Sequence, residues 1–181
     1  MSENLNAELM EKTASFSFKT TPVSKVVLLS FLTGGLYDLI LIFNYWKTIR
    51  DYMGRKISPF WRCIFAVFTN YKLFPILEEY FAKFNVKFSN VSLLASAYLI
   101  CTWLDNKITF RTIALEKTNY SLEITILVLE LLTALILGFI QNKINKVNEQ
   151  NFPNAEQNPW KVSNIIWAII FALITCLNFL P

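Results

Sequence analysis

The stretch ITILVLELLTALILGFIQNKINKVN, residues 124–148, decides the fold. Its first part, 124–140, is apolar apart from Glu130 and predicts a helix inserted in a lipid bilayer. Small residues let helices approach closely and polar side chains hydrogen-bond across the contact, so a face that combines them predicts a packing seam. One face combines them here at steps of three or four residues, and we call it the polar stripe: Glu130, Ala134, Gly138, Gln141, Asn145 and Asn148.

The composition places the whole chain in a membrane. Of its 181 residues, 54% are hydrophobic and only 17% are charged, whereas charged residues make up about a quarter of a soluble domain. The mean hydropathy is +0.40. We therefore predict an all-α fold, a polytopic membrane helix bundle with four to five hydrophobic segments.

Five apolar segments account for that prediction. Residues 1–21 are polar and mixed in charge, which predicts a flexible N-terminal tail, and residues 22–181 form a single transmembrane domain. The segments of this domain lie near 26–46, 60–77, 91–104, 124–140 and 162–180.

The number of crossings stays open, because the distribution of Lys and Arg favours two arrangements. If all five segments cross, the basic residues divide evenly between the two sides. A positive-inside bias appears if 60–77 does not cross, or if 26–46 is a re-entrant hairpin broken at Gly34–Gly35. In both arrangements the first loop is cytoplasmic and is expected on anionic lipid headgroups. Its basic residues are Lys47, Arg50, Arg55, Lys56 and Arg62.

Charged residues inside apolar segments carry the strongest functional signal, and they are Asp38, Lys72 and Glu130. A charge at mid-bilayer costs about 2.5 to 3.5 kcal/mol on insertion scales, so it normally faces protein or water. Glu130 can be a protonated or ion-paired packing residue, a proton or ion site, or a contact to a polar substrate. A Lys72–Glu130 ion pair is one hypothesis, and Asp38 could cap a half-helix that returns after the paired glycines.

Two blocks of the sequence resemble a known family. The first holds LTGGLY (32–37), NYWK (44–47) and ISPFWR (57–62), and the second is QNKINKVN (141–148), followed by Pro153. These blocks resemble the T-x-G-L-Y, Y-x-N-W-K, I-S-P-F-x-R and Q-x-x-I-N-x-x-N stretches of a family of small bacterial multi-pass membrane proteins of unknown function. Residues 38–42 depart from its more aromatic pattern. The resemblance implies a bacterial protein of the cytoplasmic (inner) membrane and carries no activity with it.

The sequence predicts a non-catalytic protein, an accessory subunit or scaffold of a membrane complex. Its expected partners are the bilayer with its anionic headgroups, and another membrane protein or a second copy of itself. The alternative is a small transporter or channel that uses the intramembrane charges of Asp38, Lys72 and Glu130. Convergence of the polar groups on one water-filled cavity would favour the alternative, and separate pairing between helices would favour the structural role.

Cofactor, metal and nucleic-acid binding are not expected. A net charge of +4 without a basic stripe is too weak to indicate nucleic acid, and the chain has no His. Cys63, Cys101 and Cys176 lie in different segments without C-x-x-C spacing, which indicates packing rather than metal or redox chemistry. An enzyme acting on lipid is the least favoured class, because acidic and thiol groups do not cluster along the chain.

Overall fold

The computed structural model describes residues 17–53, 56–88, 90–115 and 120–178, with the side chains of 67, 112–115 and 174–178 left aside. The described residues are helical and confirm the all-α prediction. They form α1 (Val23–Leu32), α2 (Leu36–Met53), α3 (Pro59–Ile64), α4 (Ala66–Lys83), α5 (Val91–Leu115), α6 (Tyr120–Asn151) and α7 (Val162–Asn178).

Helix α6 is the axis of the fold. Its 32 residues extend about 48 Å, whereas the hydrocarbon core of a bilayer is about 30 Å thick. Among the described helices it is the one that is long and apolar enough to cross a membrane. Helices α1 and α5 pack along it more extensively than any other two elements pack on each other. Ala134 and Gly138 are buried in these contacts, while Leu131 and Leu135 on the opposite face are exposed, as their spacing predicts.

The predicted segment 26–46 is not one continuous helix. Gly34 and Gly35 have φ angles of +55° and +79°, a left-handed conformation that glycine adopts without steric penalty. The Thr33 hydroxyl donates to the Leu29 carbonyl and accepts from the Tyr37 N–H, so it closes α1 and opens α2. The break at Gly34–Gly35 that one predicted arrangement required is therefore present.

Segments 60–77 and 91–104 also differ from single helices of their predicted length. Segment 60–77 is divided at Phe65 between α3 and α4, and α4 continues through Pro75 to Lys83. Segment 91–104 is only the first part of α5. Helix α5 continues because residues 105–111, although mostly polar, include neither glycine nor proline, and helix formation does not require an apolar sequence.

A core of aromatic and branched side chains lies between α2, α4, α5 and the C-terminal half of α6. Trp46, Phe74, Phe81 and Ile140 are fully buried in it. The core also contains Phe18, which lies in the non-helical segment before α1. The Phe18 ring packs edge to face on Tyr80 and Tyr45, with ring centroids 4.9 and 5.6 Å apart.

Residues 17–22, which we call the strap, are non-helical and anchored by Phe18. The predicted flexible tail therefore extends too far, because residues 17–21 are fixed by burial of this ring and by hydrogen bonds described below. The polar composition of residues 17–21 predicted flexibility. Composition alone does not reveal that a helix far along the chain binds the backbone of this segment. Residues 1–16 of the predicted tail lie outside the described residues.

Apolar side chains also cover much of the outside of α5, α6 and α7, and we call them the apolar outer surface. Soluble monomers rarely expose contiguous apolar patches larger than a few hundred Å². Lipid acyl chains are as apolar as these side chains, so they can cover such a surface. Its largest members include Leu93, Ile100, Trp103, Ile124, Leu131, Leu135, Ile165, Ile166, Trp167 and Ile169.

Replacing Gly138 by alanine tests the close approach of α1 to α6. A Cβ at this position would stand 2.5 Å from Val27 Cγ2 and 3.5 Å from Val23 Cγ1. Alanine gains up to about 1 kcal/mol of helix propensity over glycine, but overpacking costs about 1 to 3 kcal/mol. We expect Gly138→Ala to lower the melting temperature in detergent micelles.

The matched control removes the Val27 methyl group that the new Cβ would meet at 2.5 Å. The double variant Val27→Ala/Gly138→Ala should be more stable than the sum of the two single changes predicts. Additive single effects would show that α1 does not contact α6 at Gly138.

Candidate functional site

The strap is held along α6 by the three amides of the polar stripe. Asn145 accepts a hydrogen bond from the Thr21 N–H at 3.2 Å and donates one to the Thr21 carbonyl at 2.8 Å. The two bonds resemble those that a neighbouring β-strand would make. Asn148 donates to the Phe18 carbonyl at 2.7 Å and to the Thr20 hydroxyl at 2.8 Å. Buried backbone groups need such partners, and these amides supply them from the side of a helix.

Gln141 connects the strap to α2. Its Nε2 donates to the Lys19 carbonyl at 2.9 Å and to Asn145 Oδ1 at 2.8 Å. Its Oε1 accepts from the buried Tyr45 hydroxyl at 2.9 Å. Gln141, Asn145 and this hydroxyl therefore form one connected network, and Asn148 binds the strap separately. This face of α6 contacts an extended segment as well as a helix.

The opposite edge of the strap pairs with the connection between α6 and α7. The Thr20 N–H donates to the Glu156 carbonyl at 2.9 Å, and its carbonyl accepts from the Asn158 N–H at 2.8 Å. Lys19 forms an ion pair with Glu156 at 2.5 Å. Bonding on both edges explains why the strap is fixed without belonging to a sheet.

A second group of polar side chains lies near the α1–α2 turn. Glu130 projects toward the α1–α2 turn, where its Oε1 would lie 3.2 Å from a Cβ built on Gly34. The Asp38 and Asp105 carboxyls are close enough to interact electrostatically with Glu130. We call these three residues the acidic group. Within the described part of the chain, no three acidic or thiol side chains are arranged to hold a metal ion.

Asp38 is the most enclosed member of the acidic group. It is 7% exposed, and its Oδ1 has no hydrogen-bond partner. The Ser30 and Tyr98 side chains lie beside it. Asn70 is 1% exposed, lies beside Tyr98, and also leaves its Oδ1 unpaired. Helices α1, α2, α4 and α5 thus each bring a polar group to the same part of the interior.

A cavity of about 560 Å³ opens between the strap, α1, α2 and α7. Lys19, Lys25 and Lys161 line one part of it, and Leu36, Ile40, Trp167 and Phe171 line another. Lys25 is 2% exposed and precedes the apolar segment that begins at residue 26. Its Nζ donates to Asn158 Oδ1 and to the Pro159 carbonyl, both at 2.9 Å. Burial and the nearby charge of Lys161 lower the pKa of Lys25.

The structure separates the charged residues that the sequence singled out. Asp38 and Glu130 are close together, but Lys72 is exposed on α4. The hypothesis of a Lys72–Glu130 ion pair is wrong, since the two form none among the ion pairs of the described residues. The reason is helix rotation: α4 turns Lys72 outward, while α6 turns Glu130 toward Gly34.

The basic residues predicted to face lipid headgroups also differ from one another in their surroundings. Lys47 and Lys56 are exposed, and Arg50 is paired with Asp51. Arg62 lies over the buried Trp46 ring at 4.2 Å, so its guanidinium packs on the protein. Arg55 lies outside the described residues.

Sequence reasoning missed the strap, Lys25, Tyr45 and Asn158. The available signal was Lys25 itself, a charge directly before an apolar segment, which needs partners if buried. The partners could not be found in the sequence, because Asn158 is 133 residues away.

Comparison with models of protein families, with curated proteins and with solved structures finds no match. The resemblance of residues 32–62 and 141–153 to a bacterial membrane family stays a prediction.

Replacing Asn148 by alanine tests whether the amides hold the strap. The change removes two hydrogen bonds and leaves the buried Phe18 carbonyl without a partner, which costs about 1 to 3 kcal/mol. We expect lower thermal stability and faster hydrogen exchange in residues 18–21, measured by mass spectrometry in detergent micelles.

Asn142→Ala is the matched control, because Asn142 lies on the same helix and is exposed. It should leave exchange in the strap unchanged. Equal exchange in both variants would contradict the assignment of Asn148 as a clamp on the strap.

Proposed function

We propose that this chain is a non-catalytic, multi-pass integral membrane protein that acts as an accessory subunit or scaffold of a membrane complex. The apolar outer surface is the observation that carries the proposal. It is spread over α5, α6 and α7, so insertion in lipid or contact with other membrane helices would cover all three.

The hydrogen bonds and the exposure of the polar side chains support a structural role. Gln141, Asn145 and Asn148 are engaged with the strap, and Lys25 is engaged with the α6–α7 connection. Lys72 is remote from these groups on an exposed face. Asp38, Lys72, Glu130 and Gln141 therefore do not converge on one cavity, which was the arrangement that would have favoured transport.

Helix lengths support a re-entrant first segment. Helix α1 has 10 residues and extends about 15 Å, half the thickness of a hydrocarbon core. It can enter the bilayer beside α6 and return through Gly34–Gly35, but it cannot cross alone. We place the loop between α2 and α3, with Lys47 and Lys56, on the cytoplasmic side of a bacterial inner membrane.

The acidic group favours one second candidate, a small transporter or channel. Asp38 is buried with an unpaired Oδ1 next to Glu130, and buried carboxyls in a bilayer often mark proton or cation pathways. In this candidate Asp38 and Glu130 would carry protons or cations, without a contribution from Lys72.

Purification in native nanodiscs from the source cell, followed by mass spectrometry, tests the proposal. We expect a stoichiometric companion membrane protein that is lost after high-detergent extraction. The control is an unrelated membrane protein of similar size and abundance prepared in parallel.

Recovery of the chain alone would contradict the accessory role. The second candidate would then be tested by proton and cation flux into proteoliposomes. Loss of flux in Glu130→Gln, with normal flux in Glu123→Gln on the same helix, would support transport.

A further inference from the structure

We propose that the cavity between the strap, α1, α2 and α7 binds one anionic phospholipid, with its phosphate at the lysines and an acyl chain along the apolar wall. The inference goes beyond the scaffold role and rests only on the membrane insertion included in the proposed function. We call this cavity the lysine cleft.

The charge at the polar end of the lysine cleft fits an anion. Three lysine residues line it, Lys19, Lys25 and Lys161, against one acidic residue, Glu156. Glu156 is already paired with Lys19. The net positive charge is therefore carried by Lys25 and Lys161, two lysines close enough to repel each other.

Lys25 is a buried cation whose hydrogen-bond acceptors are neutral. Its Nζ contacts the Asn158 side chain and the carbonyls of Asn158 and Pro159. These oxygens satisfy its donors but do not neutralise its charge. A phosphate beside Lys161 would supply the missing negative charge without displacing the contacts of Lys25.

The depth of the apolar wall fits an acyl chain. Lys161 directly precedes α7, and Trp167 and Phe171 follow it by about 9 and 15 Å along the helix axis. Leu29, Leu36 and Ile40 line the cleft from α1 and α2. A phosphate at the level of Lys161 would thus place its acyl chain beside side chains that lie at hydrocarbon depth.

The lysine cleft also lies beside the point at which the sequence of α6 changes from apolar to polar. Gln141, where α6 changes from apolar to polar, binds the carbonyl of Lys19 at the edge of the cleft. The lysines therefore lie near the level at which headgroups meet hydrocarbon. Basic pockets between helices at this level are typical sites for anionic headgroups.

Quenching of Trp167 fluorescence by brominated lipid tests the proposal directly, because Trp167 lines the cleft and bromine quenches only at close range. Delipidated protein in detergent micelles is titrated with dibrominated phosphatidylglycerol or dibrominated phosphatidylcholine. The quenching lost in Trp167→Phe isolates the contribution of Trp167 from that of the other tryptophans. We expect phosphatidylglycerol to quench Trp167 at a mole fraction several-fold lower than phosphatidylcholine does.

The lysine variants test charge recognition. Lys161→Gln should weaken phosphatidylglycerol binding by about fivefold, since one basic residue near a lipid surface contributes about that factor. Lys146→Gln on α6 is the matched control, because Lys146 is exposed and does not line the cleft. It should leave the binding unchanged.

Three results would overturn the proposal: equal quenching by the two lipids, an equal effect of the two lysine variants, or displacement of the lipid by millimolar inorganic phosphate. The last would show that the cleft takes free phosphate and makes no use of an acyl chain. Resistance of the protein to carbonate extraction from membranes is measured separately. Failure of lipid binding is therefore distinguishable from failure of the proposed insertion.

Discussion

A non-helical strap can lie inside this helical protein because amide side chains on α6 and the backbone of the α6–α7 connection take its backbone hydrogen bonds. Asn145 pairs with both the N–H and the carbonyl of Thr21, and Gln141 and Asn148 bind the carbonyls of Lys19 and Phe18, which precede it. This contact holds Phe18 in the aromatic core. The close packing at Gly138 then continues the same line of contact along α6.

Periodicity predicted much of this arrangement, since the polar stripe and the exposed face of α6 follow from steps of three and four residues. The partner of the stripe did not follow, because hydrogen bonds from Asn148 to Phe18 join residues 130 positions apart. Composition assigned residues 17–21 to a flexible tail, and an aromatic anchor with amide partners outweighs that composition. The Lys72–Glu130 pair failed for a related reason: apolar segments show that a charge is costly, but they do not show toward which neighbour a helix turns it.

The functional proposals follow from how the polar groups are divided. The amides of the polar stripe and Lys25 connect the strap with α6 and with the start of α7. These contacts favour a structural role. The acidic group near the α1–α2 turn keeps unpaired oxygen in the interior and provides the basis for the transport alternative. The lysine cleft lies between these regions and the apolar outer surface, where an anionic lipid would join the protein to its bilayer.

Disulfide trapping between α1 and α6 tests this account most directly. The Val27 Cβ and a Cβ built on Gly138 are 4.0 Å apart, within the range of about 3.5 to 4.5 Å found in disulfides. In a variant with Cys63, Cys101 and Cys176 replaced by serine, Val27→Cys/Gly138→Cys should form an intramolecular disulfide rapidly under mild oxidation. Val27→Cys/Leu132→Cys should not, because Leu132 is on the exposed face of α6. Efficient cross-linking of the second pair, or none of the first, would contradict the packing of α1 along the polar stripe.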